Sequence, residues 1–356
     1  MERFAFLLHP LDVSNIYQKI PWLQALPDTV VESVFRLTPP AVLSHITGIE
    51  SSYAQAEGWF VNVPLTSRQM VTMPEEIVLK KIIQAGKRAE QLGAKIIGLG
   101  AFTAVVGDAG LTVAKNLHIA VTTGNSYTVG TALEGIKLAA DKMGIDFKEA
   151  EVLVVGANGA IGSACARILA RQVKYLTLVS RNGHRLENLA RRILRESGLA
   201  VRVANDLKAA LRRADVVLTV TGSFMPIIEP GDLKPGAVVC DVARPRDVSL
   251  KVAKARPDVL VIEGGIVQVP GQVNFGFDFG FPSGTSYACM AETMILTLEG
   301  RFENFTLGRD LTVDQIDDIM RLADKHGFRL AGLRSFERAL EEDEVRAIRQ
   351  RAGQTA

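Results

Sequence analysis

Residues 152 to 163 read Val152-Leu153-Val154-Val155-Gly156-Ala157-Asn158-Gly159-Ala160-Ile161-Gly162-Ser163, an apolar run that passes directly into a glycine-spaced turn and then into small residues. Four apolar residues without alternation suit a strand buried on both faces. Gly156 permits the tight turn and Gly159 lets backbone N–H groups approach a phosphate. Gly162, with Ala160 and Ala164, lets the following helix pack closely on its strand. Strand, glycine turn and helix in this order suit a dinucleotide pyrophosphate, although the spacing G-x-x-G-x-x-G departs from G-x-G-x-x-G. Gly156, Asn158, Gly159, Ala160, Ile161 and Gly162 are therefore the expected cofactor-facing turn.

Outward from the turn, a helix over 160–172 leads to a second apolar strand, Tyr175 to Val179, which ends in Ser180-Arg181-Asn182. NAD-preferring folds place an acid near this strand end to grip the ribose 2′-OH, whereas Ser180, Arg181 and Asn182 suit a 2′-phosphate. The expected cofactor is NADP(H). The competing account puts Arg181 on a solvated basic helix with Arg185, Arg191 and Arg192. The alternation continues with strands at Val201 to Ala204, Asp215 to Val220, Ala237 to Asp241 and Val259 to Ile262, and a helix over 206–213, which predicts a parallel sheet. Thr221 and Ser223 follow one of these strands, at the edge where a doubly wound fold holds its ligand, and are expected to touch the nicotinamide half or simply to form a turn.

The segment before the glycine turn reads as a separate α/β unit: strands at Phe4 to Leu8, Val42 to Ile49, Gly58 to Val63 and Lys95 to Gly100, with a long helix over Glu75 to Leu92. The expected architecture is α/β with two domains. Residues 1–127 form a small substrate domain on which C-terminal helices in 301–356 pack back, and 128–300 form a doubly wound NADP-binding Rossmann domain, with a cleft between the two.

At 356 residues and 47% hydrophobic content the chain can fill two cores, and a formal charge of +2 gives no reason to expect nucleic acid as a partner. No apolar run reaches a membrane span and the N-terminus does not resemble a secretion signal, so a cytoplasmic location is expected. Cys165, Cys240 and Cys289 have no zinc spacing and are expected as reduced thiols, with no metal site.

Three stretches resemble the long-chain acyl-[acyl carrier protein] reductases of cyanobacteria. They are Thr122-Thr123-Gly124-Asn125 with Met143-Gly144-Ile145-Asp146; the glycine turn with Ser180-Arg181-Asn182; and a run from Gly264-Gly265-Ile266-Val267 through Tyr287-Ala288-Cys289-Met290-Ala291-Glu292 to Lys325-His326-Gly327-Phe328. The resemblance implies an NADPH-dependent enzyme that reduces an acyl thioester, on a carrier protein or coenzyme A, to an aldehyde through a cysteine-bound acyl group, with Cys289 on the cysteine position. Pro270 to Pro282, rich in glycine and phenylalanine, and Val105 to Gly110 depart from the family, so acyl specificity is not carried over.

The chemistry stands without the family. A thiolate takes up an acyl thioester at little energetic cost, and the resulting enzyme thioester accepts hydride and then expels sulfur. A nearby helix N-terminus lowers a thiol pKa. A helix beginning near Gly284 would put Cys289 in about its first turn and a half. At about 100° per residue Cys289 points with Glu292, Thr293 and Leu296, away from an apolar stripe of Tyr287, Ala288, Ala291, Met294, Ile295 and Leu298. The alternative for Cys289 is a small buried hydrophobe, the account that also fits Cys165 and Cys240.

Thr123 and Asn125 lie in a strand-to-helix loop, as helix caps or as substrate contacts, with Asn125 a candidate oxyanion donor. His9 ends the first strand, as an acid facing the cleft or as a structural histidine. Glu292 has no evident benefit beside a thiolate, and nothing in the spacing of His326 indicates chemistry. A second functional class keeps the cofactor but transfers hydride directly, as in shikimate and amino-acid dehydrogenases, with Lys95, Lys115 and Asp108 as the available Lys and Asp. A nucleotide-binding sensor without turnover is the third. Oligomeric state is left open.

Overall fold

The computed structural model describes residues 1–276, 278 and 282–353, and the chain divides into two compact units. Phe277, Phe279, Gly280 and Phe281 are four of the residues in the glycine- and phenylalanine-rich stretch; Phe277, Phe279, Gly280 and Phe281 lie outside the described residues.

One unit comprises 125–267, 310–317 and 330–356. Its sheet has six strands, all parallel, in the spatial order Leu260–Glu263, Val238–Asp241, Val216–Thr219, Glu151–Val155, Tyr175–Val179, Arg202–Ala204. Numbered along the chain from Glu151, that is 3-2-1-4-5-6 read from the Arg202 edge, the order of a dinucleotide-binding doubly wound sheet. The strands are short and buried on both faces, which is why their sequences show unbroken apolar runs. Leu153, Val155, Val217, Val239 and Val261 form the core on one face, with Leu211, Val248 and Val252 packed over them. The expected strands and helices are all present, with ends shifted by one to three residues.

The other unit comprises 1–124, 268–309 and 318–329. Its six-stranded sheet is mixed, in the order Gly271–Asn274, Val42–Glu50, Gln55–Asn62, Glu2–Leu8, Ile96–Leu99, Ala120–Thr122. The last four are mutually parallel and the first two antiparallel to their neighbours. Helix Glu75–Gln91 covers one face through Val78, Ile82, Ala85 and Ala89. Helix Ala288–Leu298 lies against the other so closely that a Cβ on Gly98 would meet Thr293 Oγ1 at 2.1 Å.

This division differs from the expected one in two respects. Residues 268–300 belong with the N-terminal segment, because Gly271–Asn274 adds a strand to its sheet and helix Ala288–Leu298 packs on strands Glu2–Leu8 and Ile96–Leu99. The C-terminal residues 330–356 belong with the nucleotide-type unit. There Lys142 pairs with Glu342 at 2.7 Å, and Arg349 fills the space beside Gly144.

Candidate active site

The glycine turn has the local geometry its sequence implies. Gly156 stands at φ +85°, and a Cβ there would lie 2.3 Å from Val220 O. At Gly162 a Cβ would lie 2.4 Å from Gly156 O and 3.0 Å from Ala157 Cα. Both glycines are thus demanded by packing. Gly159 is different: its Cβ position meets only Gly156 O at 3.3 Å, and it caps helix Ala160–Leu169 with no side-chain hydrogen bond. The N–H groups of Ala160, Ile161 and Gly162 therefore open the helix with space in front of them, a cradle for an anion. Asn158 Nδ2 donates to Asn182 O at 2.8 Å, tying the turn to the end of strand Tyr175–Val179.

At that end, Ser180 is half-buried and Arg181 is exposed with no hydrogen bond or ion pair to another described residue. Asn182 caps helix Gly183–Ser197 through Arg185 N at 3.0 Å. Arg191 donates to Asn188, and Arg192 to Glu196 and Asp310. Thr221 takes the turn alternative, its hydroxyl accepting from Ser223 N at 3.2 Å. Its N–H donates to Asp247 Oδ2 at 2.9 Å and its hydroxyl to Asp247 Oδ1, so neither donor is left for a ligand. Asp247, completely buried, also accepts from Thr219 Oγ1 at 2.6 Å, and nothing in the sequence singled it out. Nearby Asp241 ends its strand with a carboxyl pushed up to about 6 by burial and held by the N–H groups of Ala243 and Val248.

In the first unit the carboxyl ends of the parallel strands bring together His9, Gly100 to Thr103 and Thr122 to Gly124, and the helix bearing Cys289 begins against the last of these. That helix starts at Ala288, not near Gly284, since 285–287 form a strand. Cys289 is accordingly the second helical residue. The helix N-cap, Tyr287, makes no side-chain cap, and the sulfur stands in the first turn, at the positive end of the helix dipole. Cys289 is half-buried, whereas Cys165 and Cys240 are fully buried. Burial pushes the Cys165 thiol up to about 12 and the Cys240 thiol further.

The expected amphipathic split of this helix is not found. Met290 and every residue from Ala291 to Leu298 are buried, Glu292, Thr293 and Leu296 among them. Cys289 is accessible because it sits at the helix end, not because it faces away from an apolar stripe.

Gly124, at φ +72°, presses on the nucleophile candidate. A Cβ there would lie 2.3 Å from Cys289 Cα and 2.4 Å from its Cβ. Thr123 does not cap a helix; its hydroxyl donates to Thr306 O at 2.7 Å. Asn125 is buried and is the first residue of helix Asn125–Met143 rather than part of the loop before it. Glu292, completely buried, accepts from Thr122 Oγ1 at 2.5 Å and from Thr306 Oγ1 at 2.9 Å.

His9 is not an acid. Its Nδ1 lies 3.0 Å from Pro10 O and its Nε2 accepts from Phe102 N at 3.3 Å, an arrangement that requires the neutral ring. Burial lowers its pKa to about 4. His326 is also structural, fully buried between Ser51 Oγ at 3.0 Å and Glu299 Oε2 at 2.8 Å. Of the Lys and Asp named for a direct-hydride site, Asp108 accepts from Thr112 N and Oγ1 and Lys95 pairs with Glu2 at 2.6 Å, while Lys115 lies close enough to Asp108 to favour its charged form. Among the described residues no cluster of His, Cys, Asp or Glu could hold a metal ion. No described helix is long and apolar enough to cross a membrane.

The family described as Shikimate / quinate 5-dehydrogenase matches residues 137–262, all within the doubly wound unit. The chain is 30% identical over 307 residues to a long-chain acyl-[acyl-carrier-protein] reductase of Synechococcus elongatus, covering 82% of this chain and 87% of that protein. It is also 30% identical over 355 residues to the aminotransferase PigE of a Serratia species, but it spans only 41% of that protein's length. Among solved structures, L-tryptophan dehydrogenase from Nostoc punctiforme aligns over 99% of this chain and 89% of its own, at 11% identity and a TM-score of 0.43. That last likeness carries no functional information.

Proposed function

Because the chain belongs to the long-chain acyl-[acyl-carrier-protein] reductase family and is an NAD(P)-dependent oxidoreductase, we propose that it reduces an acyl thioester to an aldehyde with NADPH, by way of an acyl group carried on Cys289. The observation that carries this is the setting of Cys289. Of three thiols it is the one that is not fully buried, and it stands second in an uncapped helix whose start is closed by the Thr123-Gly124 turn. A thiol in the first turn of a helix is favoured as thiolate by the aligned peptide dipoles.

The thiolate attacks the carbonyl carbon of the incoming thioester, a new C–S bond forms to Cys289, and the bond to the carrier's sulfur breaks. The carrier thiol leaves with the proton that Cys289 gave up, so charge balances over the exchange. First-turn N–H groups at Cys289 and Met290 would stabilise the negative oxygen of the tetrahedral stage. When bound, NADPH supplies the hydride that takes the carbonyl carbon to the aldehyde level. Expulsion of the Cys289 sulfur then frees the product and restores the thiolate. The residues fit this cofactor: Gly156, Asn158, Gly159, Ala160, Ile161 and Gly162 for the pyrophosphate, and Ser180, Arg181 and Asn182 for a 2′-phosphate. The acyl substrate arrives as a small molecule or on a carrier protein.

The test is intact mass after incubation with acyl-CoA and acyl-carrier-protein thioesters of several lengths. The wild type should gain the acyl mass, and Cys289→Ser should gain none while keeping its NADPH affinity. A serine variant that forms aldehyde at the wild-type rate would replace the covalent route with direct hydride transfer.

A further inference from the structure

Glu292 is a carboxyl with no contact to water, one helical turn beyond Cys289 and in the interior of a unit that could have filled the position with an apolar side chain. Burying such a group is costly unless it is tied by hydrogen bonds. Its ties converge on one place. Thr122 Oγ1 donates to it from the end of strand Ala120–Thr122, and Thr306 Oγ1 donates from the loop that pairs with that strand end through Phe305 N and Val121 O at 3.0 Å. Thr123 Oγ1 closes the set on Thr306 O, and Gly124 N donates to Thr122 Oγ1 at 3.3 Å. The turn so held is the one whose Gly124 lies against the Cys289 backbone. Thr306 is held at φ +52°, where a β-branched residue is strained, and such strain persists only where surrounding bonds enforce it.

We propose that Glu292 is a positioning residue: it ties the Thr122–Gly124 turn to the start of the Cys289 helix and so fixes the bearing of the thiol toward the acyl carbonyl. The proposal rests on the assignment of Cys289 above. Glu292 acts here through geometry, as an acceptor for two hydroxyls, and this role gives a reason for a buried carboxyl at this position. A glutamine keeps one carbonyl oxygen for Thr122 and Thr306, whereas an alanine removes the shared acceptor and leaves the two hydroxyls the longer contact with each other at 3.2 Å.

The experiment compares wild type, Glu292→Gln, Glu292→Ala and Thr122→Val as full chains, measuring kcat and KM for an accepted acyl thioester and affinity for NADPH. A displaced thiol should lower kcat by about 10- to 100-fold in Glu292→Ala, with KM and NADPH affinity little changed. Glu292→Gln should recover most of that loss and Thr122→Val should fall between. Unchanged kcat in Glu292→Ala, a loss confined to KM, or a glutamine variant as slow as the alanine one would overturn the proposal. If Glu292→Ala does not fold, Thr122→Val and Glu292→Gln carry the comparison by themselves, and wild-type kcat in Thr122→Val counts against it. Alkylation of Cys289 by iodoacetamide across pH, which needs no acyl substrate, separates the two assignments. A wild type that takes no acyl group defeats the nucleophile, whereas pH–rate profiles identical in wild type and Thr122→Val defeat the tie.

Discussion

Cys289 and its two buried counterparts differ by environment alone, and the difference is measurable. Burial holds Cys165 up to about 12 and raises Cys240 as well, so neither supplies thiolate near neutral pH. Native iodoacetamide treatment should therefore modify Cys289 alone, read as one adduct by peptide mass; adducts on Cys165 or Cys240 at a similar rate would contradict the burial. Arg181, exposed and unspent at the strand end, makes a second prediction. Arg181→Ala should weaken NADPH binding by about 10- to 100-fold, the value of a charge-assisted contact of roughly 1.5 to 3 kcal/mol, and leave NADH nearly unchanged in a titration. His9 gives the third. Its folded pKa of about 4 lies below the ordinary 6.5, so on acidification the unfolded chain takes up the proton first. Stability from the neutral ring is full above the unfolded value and is lost as pH falls from there toward the folded one. Urea midpoints should drop across that window, and His9→Asn should flatten the drop.

Two turns of glycine-bearing backbone organise the candidate site, and their glycines are needed for different reasons. Gly156, Gly162 and Gly124 sit against backbone atoms, so a larger residue at any of them disturbs packing. A Cβ at Gly159 would meet only Gly156 O, at 3.3 Å, so Gly159→Val needs a small local shift and should leave a folded protein that no longer binds nucleotide, checked by circular dichroism alongside an NADPH titration. Normal NADPH affinity in that variant would show that this turn is not the phosphate cradle. The parallel sheet, its glycine turn and the strand end at Ser180 were legible because apolar runs, glycine spacing and capping residues are local signals. The helix carrying Cys289 was less legible. Its residues read as a helix beginning near Gly284 with one apolar stripe. The strand 285–287 is fixed by sheet pairing rather than by a local pattern, and a helix buried on every side has no stripe to display.

On the scale of the whole chain, nucleotide binding should be visible as stability. Saturating NADPH at about 100 times its Kd stabilises the folded state by about 2.7 kcal/mol, so thermal unfolding followed calorimetrically should shift upward with NADPH in the wild type and stay unmoved in Gly159→Val. The sequence by itself determined the α/β class, the doubly wound sheet, the glycine turn and the family to which the chain is similar. All of these reside in contiguous stretches whose periodicity and composition follow from local sterics and burial. Only the tertiary structure decided that residues 268–309 belong with the N-terminal unit and 330–356 with the nucleotide unit. It also decided that His9 is neutral, that Thr221 is spent on Asp247, and that Glu292 ties together Thr122 and Thr306. Each of these turns on which polar group meets which across more than ten residues of chain, and no local pattern encodes a hydrogen-bond partner that distant.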